Sequence, residues 1–417
     1  MNKTIWIIDP YSELPNKNWR KGRYFSMAEH LSNAGYNILI WISNFSHKDK
    51  KNIIELEGDE KFRIVPTSYK KISYVVIVAS EYNEHISLKR ILYEYYFSKN
   101  LKLAAENFII PDLVILKDPS LFIFPFIKSK IINKDTKIIF DIIDLWPELF
   151  ELFVPSFFRS FSKLIFAPLY KVRSNYHKIA NGFVAVAPDY LQINKNNKKA
   201  PSEVIFWGVD YDEIEKIRKQ PDNRIVSKYL NVKEETRLWG IYAGTLGSNY
   251  DINCLIEAAN ILKIKTPNLD IIIAGSGPLQ GYILNKIDEY ELYNVKFIGS
   301  VPTLDLYHIL AYCDFGFSTY LSKSTVSMPI KVYDYFAFGL PIINSLQRHL
   351  GEIVKKEKVG VQYLAGDPSS MSEAVFVLIA DIQSLEKMKE NALLLGRLFD
   401  ENVQYRKIVS FTNKLLA

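Results

Sequence analysis

Two cysteines in 417 residues, Cys254 and Cys313, stand far apart in the chain. They give neither a disulfide framework nor the paired spacing of a zinc site, and a reducing cytoplasm fits that usage. The six histidines are scattered without ligand spacing, so no metal is expected. No apolar run approaches the ~20 residues that a membrane span requires; the longest, such as 121–127, have the length of core strands. The opening residues are not expected to be a signal peptide, because Asp9 and Pro10 cut their apolar run. Excess charge is small, +6. That permits an anionic partner but is not the signature of a nucleic-acid binder, and none is expected. Short-period repeats and low-complexity tails are missing as well.

What remains is a long chain, 48% apolar, with enough material for two cores. Short apolar runs alternate with helix-length amphipathic stretches. Residues 4–9, 37–42, 73–79, 113–117, 137–143 and 183–187 read as buried strands of a first half. Residues 238–243, 269–274, 295–299, 315–320 and 341–344 read the same way in a second. Strands without polar alternation, spaced by helices, predict parallel sheets covered on both faces. The fold class is therefore α/β, with two doubly wound, Rossmann-like domains facing across a cleft. The pattern restarts after the charged helix 211–219, which places the domains at 1–205 and 206–400. A terminal helix over 401–417 is a candidate to cross back to the first domain.

In doubly wound sheets ligands sit at the carboxyl ends of strands, so motifs just after strands carry the functional argument. Lys21-Gly22-Arg23-Tyr24 follows the first strand and precedes a helix expected over 25–34. Gly22 would let a phosphate approach the backbone, with Arg23 adding charge at the helix start. An ordinary loop with a solvated basic cluster is the competing reading. Tyr242-Ala243-Gly244-Thr245-Leu246-Gly247 and Ala274-Gly275-Ser276-Gly277-Pro278 repeat the strand–glycine arrangement. A full dinucleotide fingerprint would need glycine at Gln280, which argues against a nicotinamide oxidoreductase. The stretch from Met328 to Ile343 is the most informative. Pro329 starts a helix, Gly339 ends it, and Lys331 and Asp334 fall three apart on one face. A lysine there can neutralise a diphosphate, and a carboxylate one turn on can accept from two ribose hydroxyls; a plain surface salt bridge is the alternative. Asp210-Tyr211-Asp212 has the form of a metal-binding D-x-D, but its place at a helix start favours capping.

The segments YAGTLG, IIAGSGPL, FIGSVP and MPIKVYDYFAFGLPII, in that order and spacing, resemble the donor half of GT-B glycosyltransferases of family GT4. KGRYFSMAEHLSNAGYNILIW is similar to that family's opening loop, helix and strand. Asp141-Ile-Ile-Asp144-Leu-Trp-Pro-Glu148 resembles a motif of the WbuB-like bacterial branch that builds O-antigen and capsule sugars. The resemblance implies a transferase that takes a UDP- or GDP-linked sugar, without a metal and with retention of configuration, and passes it to a glycolipid or growing polysaccharide. It implies donor binding by Gly22, Arg23, Gly244, Thr245, Gly275, Ser276, Ile298, Ser327, Lys331 and Asp334, and catalytic roles for Lys331 and Asp144. Asp334 matches the second acid of the family's E-x7-E motif. The first acid would stand at Val326, and the basic pair of the YAG loop is replaced around Thr245. Lys331 and Arg23 are therefore expected to carry more of the diphosphate charge. Two other readings stay open: a nucleotide-sugar epimerase of the same fold, and a catalytically degenerate partner subunit.

Residues 157–172 put Phe161, Leu164, Ile165, Pro168, Leu169 and Val172 on one helical face, with Arg159, Lys163 and Arg173 off it. No acidic residue occurs between Glu151 and Asp189. This suits peripheral contact with an anionic membrane, at the cytoplasmic face, where a lipid-linked acceptor would lie. An amphipathic core helix is the alternative. Residues 88–103, with Tyr93, Tyr95, Tyr96 and Phe97, form a second aromatic-basic stretch.

Overall fold

The computed structural model describes residues 3–15, 20–69, 71–83, 88–119, 121–128, 133, 135–151, 154–197 and 199–417. The chain divides into two units, Met1–Phe206 with Gln404–Ala417, and Trp207–Val403.

Among the described residues the first unit holds one eight-stranded sheet. Its strands are β1 (Thr4–Ile8), β2 (Asn37–Ser43), β3 (Phe62–Pro66), β4 (Ile72–Ile77), β5 (Leu113–Asp118), β6 (Lys137–Ile142), β7 (Gly182–Ala185) and β8 (Ser202–Val204), in the order β3-β4-β2-β1-β5-β6-β7-β8. All pairs are parallel except β3 with β4. The central strands are almost fully buried, as covering on both faces requires. The two strands of this sheet that sequence reading missed, β3 and β8, are its edges. Neither has a continuous apolar run: Ile64 of β3 is 52% exposed, and β8 is a three-residue strand with no buried position.

Arg23, expected at a phosphate, is instead an internal tie of this unit. Its guanidinium donates to both Asp141 oxygens, at 2.7 and 2.9 Å, and to the carbonyls of Ile205 (2.7 Å) and Phe206 (3.1 Å). Both side chains of the pair are fully buried. A fork held by four acceptors matches the donor geometry of arginine and leaves no face for a ligand. The bonds fix the start of helix Arg23–Asn33 against β6 and the last residues before the second unit. The chain returns to the first unit at Gln404, and Tyr405, Ile408 and Phe411 of helix Glu401–Leu416 enter its core.

The expected single helix over 157–172 is broken. A 3₁₀ turn, Ser156–Phe161, leads into helix Ser162–Ile165 and, after Phe166, into helix Ala167–His177. Phe157, Phe158, Phe161, Leu164 and Ile165 are all at least half exposed, so this is not a core helix. The Arg159 side chain lies outside the described part. Residues 88–105 form one helix, in which Tyr93 and Phe97 are core and Tyr95 and Tyr96 face outward.

The second unit holds a six-stranded, wholly parallel sheet. Its strands are β9 (Leu238–Ala243), β10 (Leu269–Ala274), β11 (Val295–Gly299), β12 (Phe315–Ser318), β13 (Ile342–Asn344) and β14 (Gly360–Gln362), in the order β11-β10-β9-β12-β13-β14. The order reverses direction between β9 and β12, which makes the carboxyl ends of those strands the switch point of the sheet. Helix Ile330–Ala337 begins after Pro329 and stops at Gly339, whose φ of 75° only glycine adopts readily. Asp210 caps helix Tyr211–Lys219 by accepting from the Glu213 amide at 3.0 Å. Among the described residues no group of three His, Cys, Asp or Glu side chains could hold a metal, and no helix is long and apolar enough to cross a membrane.

Candidate functional site

Three glycine turns meet at the carboxyl edge of the second sheet. The Gly244 amide donates to Ala274 carbonyl (2.9 Å), the Gly275 amide to Gly299 carbonyl (2.7 Å), and the Leu246 amide to Ser276 carbonyl (3.0 Å). A β-carbon on Gly275 would lie 1.9 Å from the Gly244 carbonyl oxygen. Gly275 therefore lets one turn lie on the next; it does not open the backbone to phosphate. The Gly244 amide, expected at the diphosphate, is likewise committed within the turn stack. Thr245 and Ser276 remain exposed at its rim. Ile298 lies on the edge strand β11, next to Gly299.

Lys331 occupies the second position of helix Ile330–Ala337 and reaches back to this stack. Its Nζ would meet a β-carbon on Gly244 at 2.9 Å. The amine lies over the rings of Tyr242 (3.8 Å to the centroid), Tyr250 (5.0 Å) and Tyr320 (5.5 Å). It is buried and has no hydrogen-bond partner among the described residues. Burial alone pushes its pKa down to about 7. Tyr242 is fixed in turn by its hydroxyl, which donates to the Thr245 carbonyl at 2.7 Å.

Asp334 does not share this setting. It is 4% exposed, and its carboxylate accepts from the Tyr307 hydroxyl at 3.2 Å. The two residues are three apart in the helix but engage different neighbours, so the open carboxylate expected for a ribose is not present. Ser327 is fully buried, and its carbonyl accepts from the Leu350 amide. Val326, where an acid would stand, bonds through its amide to Ser324 Oγ. The tyrosine cage was missed at sequence level. Tyr242 was visible only as part of a glycine motif and Tyr320 only as the end of the expected strand 315–320, while Tyr250 lies in an isolated bridge that no periodicity distinguishes.

The first unit has its own cluster at the ends of β1, β5 and β6. Lys117 pairs with Asp9 at 3.2 Å and lies 4.3 Å from the Tyr11 ring centroid. The Arg90 guanidinium lies over Tyr11 and Trp146, 5.2 and 4.7 Å from their centroids. The Tyr11 hydroxyl donates to Glu94 at 2.5 Å. The Asp144 side chain reaches solvent here, yet desolvation by the surrounding cluster pushes its carboxyl up, opposed by Lys117 and Arg90 and reinforced by Asp9. Gly22 caps helix Arg23–Asn33 with nothing near its missing β-carbon, so that helix start is open. Of this group only Asp144 and Gly22 were singled out from sequence. Asp9 and Lys117 could have been found as polar residues ending buried strands.

Each unit is thus an α/β domain on a mainly parallel sheet, with polar groups gathered where its strands end, the fold of GT-B glycosyltransferases. Residues 228–394 match the family described as glycosyl transferases group 1. Chitobiosyldiphosphodolichol beta-mannosyltransferase of Candida glabrata is 29% identical over 152 residues, which are 34% of this chain and 33% of that protein. The chain thus spans about a third of the length of the curated relatives it matches. Sucrose-phosphate synthase of Thermosynechococcus elongatus superposes with a TM-score of 0.75 at 14% identity, over 99% of both chains. Anabaena HepE in complex with UDP-glucose superposes with a TM-score of 0.64 at 14% identity, again over 99% of both.

Proposed function

We propose that this chain transfers a sugar from a nucleoside-diphosphate donor to a lipid-linked oligosaccharide or growing polysaccharide, with retention of configuration and without a metal. The observation that carries the reading is Lys331. An unpartnered amine at the switch point, beside the Gly244 turn and within the segment that matches group 1 glycosyl transferases, awaits an anion. Breaking the anomeric bond leaves negative charge on the departing diphosphate, and a donor already aimed at that charge lowers the barrier. The leaving phosphate oxygen can take the acceptor proton, so no protein base is needed. Thr245, Ser276, Ile298 and Ser327 complete the donor set of the second unit in this proposal, with a UDP- or GDP-linked sugar as substrate. Asp144, exposed among Lys117 and Arg90, orients the acceptor in the first unit.

The name of the Candida glabrata relative supports a lipid diphosphate-linked acceptor. Assignment to a bacterial surface-polysaccharide branch rests on Asp141–Glu148 alone; the curated relative named above is a eukaryotic mannosyltransferase. The exposed aromatic segment 157–165 supports action at an anionic membrane surface, on its cytoplasmic side.

Purified protein incubated with UDP- and GDP-linked sugars and a polyprenyl-diphosphate oligosaccharide tests the proposal. Transfer is expected with one donor class, unchanged by EDTA. Lys331→Ala should cost about 3 kcal/mol of barrier, roughly a hundredfold in kcat/KM. Donor binding without transfer to any lipid-linked acceptor would favour a partner subunit instead.

A further inference from the structure

The setting of Lys331 is incomplete for a cation. Its three aromatic neighbours come from separate elements: Tyr242 from β9, Tyr250 from the turn before helix Ile252–Lys265, and Tyr320 from the residues after β12. Tyr250 and Tyr320 also form an isolated antiparallel bridge, with ring centroids 5.1 Å apart.

The titratable groups around the amine are these phenols, of which burial pushes Tyr242 and Tyr250 up, with Tyr335 and Tyr363 behind Tyr242. The carboxylates of the same elements are engaged elsewhere. Asp334, on the lysine's own helix, accepts from Tyr307. Asp251 accepts from the Tyr363 hydroxyl at 3.1 Å and the Gly366 amide at 2.7 Å. Aromatic faces attract a cation, but less strongly than burial of an unpaired ammonium opposes it. The amine is therefore held in place while its charge is disfavoured, which agrees with a pKa brought down to about 7.

We propose that Tyr242, Tyr250 and Tyr320 are positioning residues that hold the Lys331 amine over their faces in place of a carboxylate counter-ion, so that a nucleoside diphosphate enters together with a proton taken up by that amine. The proton comes from solvent, and the product is an ammonium paired with the diphosphate. A carboxylate in the same place would compete with the incoming phosphate for the lysine; a ring face does not. The inference rests on the donor-site reading above and adds the residues that prepare the amine and the proton stoichiometry of binding.

The test is calorimetric titration of the full chain with UDP and, separately, GDP, in Tris and in HEPES, whose different ionisation enthalpies report proton uptake. Uptake should approach one proton per nucleotide at about pH 8.5, and Kd should rise about tenfold per pH unit above roughly pH 7. Lys331→Met should abolish both effects. Tyr250→Phe should keep the profile, whereas Tyr250→Leu should move its midpoint; a merely structural role would change affinity equally at every pH. Nucleotide binding with flat affinity and no uptake between about pH 7 and 9 would overturn the inference and leave the donor site standing. No binding of either nucleotide at any pH would overturn both.

Discussion

The Lys331 amine lies 3.8 Å from the centre of the Tyr242 ring and 2.9 Å from where a Gly244 β-carbon would stand. One lysine thereby links helix Ile330–Ala337 to the first glycine turn of the sheet. The arrangement has an energetic consequence. Burial lowers the lysine's pKa from 10.5 to about 7, so between those values the folded chain binds fewer protons than the unfolded one. The contribution of this group to stability then rises with pH through that window. Its cost is greatest below about pH 7 and gone above about 10.5. Lys331→Met should therefore raise the melting temperature of the second unit by roughly 3 °C or more at pH 6. The gain should shrink as pH rises toward 10. Calorimetric scans at several pH values check this; a variant no more stable than the parent at pH 6 would contradict it.

Arg23 and Asp141 form a buried, two-bonded pair. Removing one partner leaves an uncompensated charge, at a cost of about 3–5 kcal/mol. Arg23→Leu and Asp141→Leu should each destabilise the first unit by that order, and the double variant should lose less than the sum. Nucleotide affinity of the folded fraction should stay unchanged, because Arg23 has no face toward a ligand. Denaturant midpoints for the four proteins, with UDP and GDP titrations, separate this structural role from a phosphate contact.

The glycines of the motifs differ in what they do. Gly275 has a φ of 151°, and its β-carbon would strike the Gly244 backbone; Gly22 has ordinary extended φ and ψ and open space around it. Gly275→Ala should keep the second unit from folding normally, by a loss above about 4 kcal/mol, since neither backbone can yield. Gly22→Ala should cost only about 0.5–1 kcal/mol as a poorer helix cap. Thermal unfolding of the two variants tests the contrast.

These pairs show what the sequence could and could not reveal. Strands β9 and β10 were legible to the residue, because buried parallel strands are continuous apolar runs followed by glycine; β11, a half-exposed edge ending on Gly299, was legible as well. Edge strands β3, β8 and β14 were not, since none is a continuous buried apolar run and β8 and β14 are only three residues long. Lys331 was legible from its place beside a helix start after a strand. Its partners were not, because a ring face over an amine is a relation between segments up to 89 residues apart (331 − 242). Arg23 was misplaced for the same reason: Asp141 is 118 residues away in sequence, and proximity to a glycine looked like the stronger signal.

The exposed aromatic segment gives the last prediction. Phe157, Phe158, Phe161, Leu164 and Ile165 face outward. Lys163 and Lys171 are exposed beside them, and no acidic residue occurs from 152 to 188. Apolar side chains entering a bilayer surface contribute ~1.5–3 kcal/mol each when fully buried. Nearby lysines add ~1 kcal/mol each toward anionic lipid, a share that salt screens. Co-sedimentation with phosphatidylglycerol-containing vesicles should therefore be strong at low salt, weaker at high salt, and weak with purely zwitterionic lipid. The pair Phe158→Ser and Leu164→Ser should lower the partition coefficient at least tenfold, from the loss of more than ~1.4 kcal/mol. Both side chains are exposed, so folding should be unaffected and melting temperature should hold. Equal partitioning of parent and variant would mean that this surface does not meet the bilayer.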